Sequence, residues 1–544
     1  MTGFKPALGL LLSAGVVTGG ASGSALSAQN RDTTSWQRFE EIARWDAWLQ
    51  SDNAAGLVML PPLRMSWIAL SAVGEKGSLR DDSDAEGSVR IGAGAGSCLR
   101  AGNRTTLCGG VQYDRFSGQG MSGSYFIDPQ QTPFDLVEYT TDNPGRKQLE
   151  RYRLSGAAGY ALNRRFAAGI RCDYATANYA KRKDLRHINS LLDLEIGPAL
   201  LVRIGPHFAL GVNYAYRRRV ESLLLQVYGK TDRVYESLLD YGARFGKREV
   251  FGENGYTKEN EAKPLFDRYH GGALQFDWRP HRGVSLFGQV AFRTRKGYYG
   301  RPSPSTIVYS NHSGSEISCV GQLVCEAGPH RHLLRLELER REVANRENIY
   351  TYQNEELGRS YIRYLGEADV GNRTRQSATL LYTGQFGVKR ELPVWQVTLD
   401  GRVEQRQILA VNYPDYRRQQ LTWWHLRAEG LRHLLRGRNL WSCSLGGGYG
   451  AGAGAPCTEG SYDDSGRSET LTRRLDERLL REHEFLTTRR IELSLGLQWT
   501  RRLGKHAIRG FVALDYDVAR SFGTKALGPA PLRHRAQGRL GCLF

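Results

Sequence analysis

Beyond residue 30 the sequence has no run of about 18 uncharged apolar residues, the length that a membrane-spanning helix needs. This absence excludes a helical membrane protein. No two cysteines are spaced as C-x-x-C, so neither a zinc ribbon nor a thioredoxin-type redox motif is indicated. Methionine is scarce, with 4 residues against 27 tyrosines and 63 glycines. This aromatic and glycine-rich composition is typical of tightly packed β-strands with aromatic girdles.

Motifs for catalysis and metal binding are also missing. The glycine-rich run at residues 446–454 lacks the lysine and hydroxyl residue of a phosphate-binding loop. The acidic residues Asp81, Asp82, Asp84 and Glu86 do not have the spacing of an EF-hand loop. The 12 histidines are scattered, and no Ser/His/Asp set stands out. We therefore predict no catalytic residues, no metal site and no cofactor, and we do not expect an enzyme.

The chain is strongly basic, with a formal net charge of +19. A basic chain can bind nucleic acid, which requires its arginines to gather on one helix or patch. Here the arginines are spread through alternating segments along the chain. We therefore expect no nucleic-acid partner. The positive charge is expected to line a polar lumen and to face anionic lipid head groups or polysaccharide.

Residues 1–28 have the pattern of a signal peptide. Lys5 provides a positive start, residues 7–17 form a short apolar core, and small residues follow up to Ala28. Cleavage is predicted after Ala28, with Ala25 as the alternative. An exported chain without helical spans but with many alternating segments is either a soluble all-β protein or a membrane β-barrel.

Alternation of apolar and polar residues separates these two classes. In residues 490–500, large apolar side chains occupy the odd positions and polar or small ones the even positions. Residues 395–406, 334–341 and 284–293 show the same period of two, which predicts strands with two different environments. Most of these segments run for about 12 to 17 residues, which is long for a soluble sandwich and sufficient for a tilted membrane strand.

Short basic or glycine-containing turns alternate with long polar loops, the asymmetry of periplasmic turns and extracellular loops. We predict an all-β fold, a transmembrane antiparallel up-and-down β-barrel of about 18 strands, with 16 as the main alternative. The loop at 223–266 leaves room for a further hairpin, and 314–325 is the weakest strand. The predicted strands are residues 62–74, 86–98, 104–116, 148–162, 165–179, 187–203, 207–222, 267–279, 283–297, 314–325, 331–343, 371–387, 394–411, 418–434, 439–450, 487–501, 506–520 and 532–544. An even number of strands places both termini in the periplasm.

A short helix is predicted before the first strand. Trp36, Phe39 and Ile42 recur at helical spacing within residues 35–50. Two placements are open: the helix packs on the barrel rim, which we favour, or it enters the barrel mouth as a partial plug. The predicted organisation is a signal peptide at 1–28, a periplasmic N-terminal segment at 29–61 and the barrel at 62–544.

Residues 51–57 read Ser-Asp-Asn-Ala-Ala-Gly-Leu and follow Trp45 and Trp48. This element resembles one in a family of uncharacterised outer-membrane β-barrel proteins of Gram-negative anaerobes, whose members carry a similar Asn-Ala-Ala-Gly-Leu element before the first strand. The resemblance extends to the C-terminus. It implies a barrel fold and location in the cell outer membrane, and it provides no catalytic residues to transfer.

The strand register predicts which charged side chains face the lumen. They either line a hydrated channel with a mild preference for anions or form cross-strand ion pairs that stiffen and fill the barrel, and for most residues we favour the ion pairs. Cys98 and Cys108 flank one turn on the same face and are a candidate disulfide in an exported chain. The predicted pore-lining residues are Arg171, Arg293, Arg335, Arg402, Arg427, Arg490, Arg509, Arg535, Glu337, Asp400, Glu404 and Glu492.

The function predicted from these features is that of an outer-membrane channel or porin-like transporter with a charged, arginine-rich lumen. One alternative is a surface binding or assembly platform that uses the long loops at 223–266 and 451–486. Another is a FadL-like plugged transporter of hydrophobic solutes. The expected partners are outer-membrane lipids, the barrel-assembly machinery, and small solutes or surface polysaccharide.

The last segment, residues 533–544, ends on Phe544. A terminal aromatic resembles the recognition signal that the barrel-assembly machinery reads in outer-membrane proteins. Deletion of Phe544 is therefore expected to lower the amount of folded protein in outer-membrane fractions more than Phe287→Ala does. Quantification of the heat-modifiable folded band measures this difference, and an equal loss in both variants would contradict the assembly role.

Overall fold

The computed structural model describes residue 36 and residues 39–61, 64–139, 143–228, 233–354, 360–389, 391–462, 468–471, 475–504 and 508–544. The predicted signal peptide lies outside these residues, and so do the first two residues of the first predicted strand.

Strands make up most of the described chain, and they are numbered here in sequence order. They are β1 (Arg64–Gly77), β2 (Gly87–Ala101), β3 (Thr105–Met121), β4 (Asp135–Glu138), β5 (Gly145–Ala161), β6 (Phe166–Lys181), β7 (Arg186–Ile204), β8 (Phe208–Gln226), β9 (Glu236–Gly242), β10 (Phe245–Val250), β11 (Lys263–His281), β12 (Val284–Ser303), β13 (Thr306–Ala327), β14 (His330–Asn354), β15 (Ser360–Phe386), β16 (Trp395–Asn412), β17 (Asp415–Arg436), β18 (Asn439–Ala453), β19 (Thr458–Tyr462), β20 (Ser468–Leu471), β21 (Arg489–Arg502), β22 (Arg509–Phe522) and β23 (Leu532–Leu543).

Eighteen of these strands, all except β4, β9, β10, β19 and β20, form one closed antiparallel barrel. Sequential strands pair along the wall, and β23 pairs with β1 to close it, with Leu540 opposite Leu70. Closure leaves no open sheet edge, which a strand in lipid requires because its backbone groups have no water to bond. The predicted number of 18 strands is confirmed.

The outer face of the barrel is apolar. Leu493 and Leu495 of β21 are 56% and 57% exposed, while Arg490 and Glu492 point to the inner face. The same exposure of large apolar side chains recurs around the wall. Such a continuous apolar surface is unfavourable in water and favourable in lipid, so the fold is a transmembrane β-barrel.

Two predicted loops are strands. Residues 298–313 and 344–370 were expected to be long loops, but β12 to β15 continue through nearly all of them. On β14 the regular outward alternation of apolar residues ends at Leu338, and the next outward positions, Arg340 and Glu342, form an exposed ion pair. Backbone pairing continues beyond the apolar belt, so the end of apolar alternation marks the edge of the lipid and not the end of the strand.

The suspected hairpin within residues 223–266 is present, but it is not part of the wall. It consists of β9 and β10, which join β4 in a separate sheet of three strands. This hairpin therefore adds no membrane strand, and the barrel count is unaffected.

The helices are short. They are α1 (Phe39–Trp45), α2 (Ala47–Gln50) and α3 (Glu477–Thr487), with 3₁₀ turns at Ala54–Met59, Pro129–Gln131 and Gly255–Thr257. The single helix predicted over 35–50 is broken at Asp46, whose carboxylate caps α2 by accepting from the backbone N–H of Trp48 at 3.0 Å. No helix in the described part of the chain is long and apolar enough to cross a membrane.

Residues 47–60, called here the N-terminal plug, lie inside the barrel at the end with the short turns. Trp48 Nε1 donates to Asp277 Oδ2 at 2.8 Å, and Asn53 Nδ2 donates to Gln275 Oε1 at 2.9 Å. Both acceptors lie on the inner face of β11. The two predicted placements are therefore both found: α2 lies in the lumen, whereas Ile42 and Trp45 of α1 lie beside the turn residues at 281–283, at the rim. Phe287 packs edge-to-face on Trp48, so its replacement would also disturb the N-terminal plug. Phe292 faces outward and is therefore the better aromatic control for the deletion of Phe544.

A glycine on the wall makes room for the N-terminal plug. A Cβ on inward-facing Gly169 would lie 2.3 Å from the backbone nitrogen of Ala55, whereas a Cβ on outward-facing Gly156 would meet nothing within 4 Å. Gly169→Ala is therefore expected to lower the free energy of unfolding by about 1–3 kcal/mol through overpacking. Reversible denaturant unfolding in micelles measures this, with Gly156→Ala as the matched control. Equal stability of the two variants would argue against a tightly docked plug.

Candidate functional site

The end of the lumen with the long loops is also filled. The loops at residues 122–139 and 233–258, called here the loop plug, fold into the barrel and contribute β4, β9 and β10. Phe134 and Tyr241 of this plug are fully buried against inward-facing Tyr299 and against Val370 of the wall. An aromatic core of this size stabilises the docked position through burial of apolar area.

Arg373 of β15 anchors the loop plug to the wall. Its guanidinium donates to the carbonyl oxygens of Tyr241 at 3.3 Å, Asp240 at 3.1 Å and Thr132 at 3.3 Å. These carbonyls belong to both loops of the plug, so one wall side chain fixes the two loops relative to each other. The fork of guanidinium donors makes such multiple contacts at little further entropic cost.

A second anchor is ionic and lies on the opposite side of the plug. Glu138 of β4 accepts from Lys181 Nζ of β6 at 2.5 Å, and Lys147 Nζ of β5 lies 3.7 Å away. All three side chains are fully buried. Burial raises the pKa of Glu138, while the two lysines oppose that rise. Removing one member of such a cluster leaves a buried charge unpaired, so the cluster holds the plug in one position.

A cavity of about 290 Å³ lies between the loop plug, α3 and the wall. Its charged lining consists of as many arginines as carboxylates, contributed by both the wall and the inward-folded loops. The arginines are Arg244, Arg295, Arg341, Arg373, Arg375 and Arg406, and the acids are Asp81, Asp84, Asp135, Asp240, Glu316 and Glu482. A charged, enclosed space in the middle of a barrel is the candidate functional site.

Four carboxylates of the cavity have no basic partner within 4.0 Å among the described residues, whereas Glu482 and Glu316 are paired: the four are Asp81, Asp84, Asp135 and Asp240. Asp135 accepts a hydrogen bond from the Ser124 hydroxyl at 2.6 Å, but within the described ranges it has no lysine or arginine within 4.0 Å. Burial raises the pKa of Asp135 to about 7. Burial, followed by the charge of Glu482, likewise raises the pKa of Asp81 to about 7. Both groups are therefore partly neutral at neutral pH.

A neighbouring cavity of about 380 Å³ extends the site toward β21 and shares Arg375, Arg406 and Glu482 with the first. Four of the predicted pore-lining residues line it: Arg402, Glu404, Arg490 and Glu492. Glu404 accepts from Arg375 Nε at 3.0 Å across two strands. The predicted inner face of β16 and β21 thus coincides with the site.

The remaining predicted pore-lining residues also face inward but lie away from the cavity. Arg171 donates to the carbonyl oxygen of Ser51 at 3.3 Å, and Arg293 lies 3.7 Å from Asp52. Both arginines therefore contact the N-terminal plug. Arg335 pairs with Glu337 at 2.5 Å on the same strand. The others are Arg427, Arg509, Arg535 and Asp400, of which Arg427 pairs with Glu429 at 3.1 Å.

The structure joins Cys98 of β2 to Cys108 of β3 in a disulfide, with the two Cα atoms 4.0 Å apart. Cys98 is buried against Leu57 and Leu60 beside the N-terminal plug. The cross-link therefore lies on the inner face, where it contributes to the surface on which the plug packs.

The part of the site that comes from loops was not predicted from the sequence. Asp135, Asp240 and Arg244 lie in segments that were assigned to the extracellular side. One feature could have revealed them: Asp135 directly follows Phe134, and Asp240 directly precedes Tyr241. An acid beside a large aromatic in a polar loop indicates a segment that packs against something.

The raised pKa of Asp135 makes stability depend on pH. The folded protein binds this proton more tightly than the unfolded chain does, so stability is lost as pH rises through about 7. Asp135→Asn is expected to raise the unfolding temperature at about pH 8, and to raise it by less at about pH 5, which lies nearer the pKa of the unfolded carboxyl. Thermal unfolding at both pH values measures this.

The matched control is Asp128→Asn in the same loop. Asp128 lies 3.5 Å from Arg151 and 3.6 Å from Arg219, so its neutralisation removes ion pairs and is expected to lower stability at about pH 8. A parallel response of the two variants to pH would contradict the assignment to Asp135.

The chain matches no curated protein. Among solved structures, it is similar to BauA, the ferric preacinetobactin receptor from Acinetobacter baumannii, with 8% identity over 88% of this chain and 80% of that one and a TM-score of 0.39. The outer-membrane transporter YddB from Escherichia coli has 5% identity over 88% and 80%, with a TM-score of 0.38. The toluene transporter TodX from Pseudomonas putida has 10% identity over 90% and 92%, with a TM-score of 0.28.

None of these similarities carries information about the substrate of this chain. The match to a family model is of a different kind, because it spans most of the sequence, from residue 54 in the N-terminal plug to the last residue of the barrel. The chain belongs to the family of unknown function DUF6850, whose model covers residues 54–544.

Proposed function

We propose that this protein is an outer-membrane transporter or channel that is closed at rest and opens when its plugs move. The observation that carries this proposal is the charged cavity of about 290 Å³ between the loop plug, α3 and the wall of an 18-stranded barrel. A barrel of this size has a lumen wide enough for water and small solutes once the filling is displaced.

The outer-membrane location and orientation are part of the proposal. Both ends of the barrel sequence lie at the end with the short turns, since the backbone N–H of Phe544 donates to the carbonyl oxygen of Ser66 at 2.9 Å. Short turns face the periplasm in known barrels of this class. Outer-membrane lipids and the barrel-assembly machinery are the expected partners of such a wall.

The charged lining decides between the alternatives for solute class. A FadL-like transporter of hydrophobic solutes requires an apolar cavity, whereas this one is lined by twelve charged side chains. An apolar solute in this cavity would deprive the charged side chains of hydration, which is costly in free energy. A small polar solute fits the cavity better.

The surface-platform alternative is disfavoured because parts of both its loops fold into the lumen. Most of residues 233–258 within the loop at 223–266 are occupied by contacts inside the lumen, including fully buried Tyr241 and Tyr256. In the other loop, α3 folds inward as well, where Leu479 is fully buried and Glu482 pairs with Arg406 at 2.7 Å. Segments engaged in this way are not free to bind a partner at the surface.

Removal of the plugs tests the proposal in planar bilayers. One variant lacks residues 39–60, a second replaces residues 124–139 and 236–257 with short Gly-Ser linkers, and a third combines both changes. Because the two plugs block the lumen in series, each single variant is expected to stay nearly silent. The combined variant is expected to show discrete conductance steps.

The heat-modifiable folded band confirms in each case that the barrel is intact. Steady large conductance of the unmodified protein would contradict a closed resting state. A combined variant that folds but stays silent would contradict a conducting lumen.

A further inference from the structure

Three positively charged side chains form a row on the outer face of the barrel, called here the cation row. Arg268 of β11 lies directly opposite Arg218 of β8 on one side and Lys296 of β12 on the other. All three are exposed, whereas their chain neighbours Arg219 and Asp267 are buried on the inner face. The Cβ atoms of directly opposed residues are about 5 Å apart, so three like charges are held close together.

No acid of the protein compensates the cation row. Within the described part of the chain, none of its three side chains has a carboxylate within 4.0 Å or donates a hydrogen bond. Two other exposed arginines of the wall, by contrast, have acidic partners: Arg115 lies 3.5 Å from Glu150, and Arg346 lies 3.1 Å from Asp369. Directly opposed like charges destabilise a sheet, so the cation row favours an anion from outside the chain.

The cation row lies where the apolar belt ends on the side of the long loops. The outward positions of β11 include Trp278 near the short turn, then Phe276 and Leu274, and finally His270 and Arg268. Ten positions separate residue 278 from residue 268. They span about 33 Å along the strand, or about 25 Å along the axis of a barrel whose strands tilt by about 40°. An apolar band is about 25 Å tall, so the row lies at the level of the lipid head groups.

Aromatic side chains flank the cation row on both sides. On the loop side, Phe266 and Tyr298 stack with their ring centroids 5.0 Å apart, and the guanidinium of Arg218 lies 5.5 Å from the centroid of Phe266. On the lipid side, the hydroxyl of Tyr214 and Nδ1 of His270 share a hydrogen bond of 2.7 Å. Aromatic rings with a polar group favour the boundary between hydrocarbon and water, which supports the same placement of the row. The contact with Phe266 also restricts Arg218 before any ligand binds.

We propose that Arg218, Arg268 and Lys296 bind the phosphate groups of a membrane lipid in the leaflet on the side of the long loops. The planar fork of an arginine matches phosphate oxygens, and the lysine adds a further positive charge. The row lies beside exposed apolar positions, among them Leu274 and Phe292, which the acyl chains of the same lipid would cover. A lipid therefore satisfies both the charge and the apolar surface, whereas a soluble anion satisfies only the charge.

This inference concerns the outer face of the wall and goes beyond the proposed function of the lumen. In the orientation proposed above, the leaflet on the side of the long loops is the outer one. Lipid binding requires no conduction, so a silent double-plug variant would leave the lipid site standing.

Titration of the purified, unmodified protein in neutral detergent micelles tests the proposal, with bound lipid counted by native mass spectrometry. The probe is bisphosphorylated lipid A, and the matched control is the same lipid without its phosphates. The phosphorylated lipid is expected to bind at least tenfold more tightly. Equal binding of the two lipids would overturn the proposal. Inorganic phosphate is the third probe: if it displaces the lipid at a concentration near the lipid's own Kd, the row is a site for free phosphate and the proposal is wrong.

The triple variant Arg218→Gln/Arg268→Gln/Lys296→Gln removes the charges but keeps long polar side chains at the same positions. Each cation near a membrane surface contributes about fivefold to the affinity for an anionic lipid, so a loss of about a hundredfold is expected. The matched control is Arg115→Gln/Arg340→Gln/Arg346→Gln, which removes the same net charge from exposed arginines that have acidic partners. This control is expected to change the affinity by less than about threefold.

An equal loss in both triple variants would show that net charge alone controls binding and would overturn the site. Unchanged affinity in the cation-row variant would overturn it as well. The heat-modifiable folded band confirms that each variant is folded. Should the cation-row variant fail to fold, Arg268→Gln alone removes the central charge and is expected to weaken binding about fivefold. Unchanged affinity in that single variant would likewise refute the proposal.

Discussion

The pairing of β23 with β1 is the constraint on which the rest of the molecule depends. A strand in lipid has no water to satisfy its backbone, so the sheet has to close upon itself. Closure of 18 strands creates a lumen much wider than side chains can fill from the wall. The interior must then hold either water or folded chain, and here folded chain occupies both ends.

Folded chain inside a polar wall needs a particular kind of contact. Arginines of the wall donate to backbone carbonyls of the loop plug, as Arg373 does, and do not only pair with acids. A carbonyl keeps its acceptor capacity whatever side chain it belongs to, so such contacts position a loop without demanding an opposite charge from it. Asp135 and Asp240 of the plug have no basic partner within 4.0 Å among the described residues, and burial raises the pKa of both.

Much of the wall could be predicted from sequence, and the interior much less. The alternation in residues 490–500 shows which side chains face the lipid and which face the lumen, because a wall position has only those two environments. Asp135 and Arg244 carry no such periodicity, since their surroundings are formed by segments more than 100 residues apart. The helical character of residues 35–50 was predictable, whereas the place of Trp48 and Asn53 in the lumen depends on Asp277 and Gln275, far along the chain.

Both loops of the loop plug are attached to wall strands at each end: β3 and β5 for one, and β8 and β11 for the other. If they leave the lumen, they cannot diffuse away. Their effective concentration at the docking surface stays on the order of millimolar, as for any short tether. Their return to the docked position is then a first-order process, whose rate does not depend on how many copies occupy the membrane.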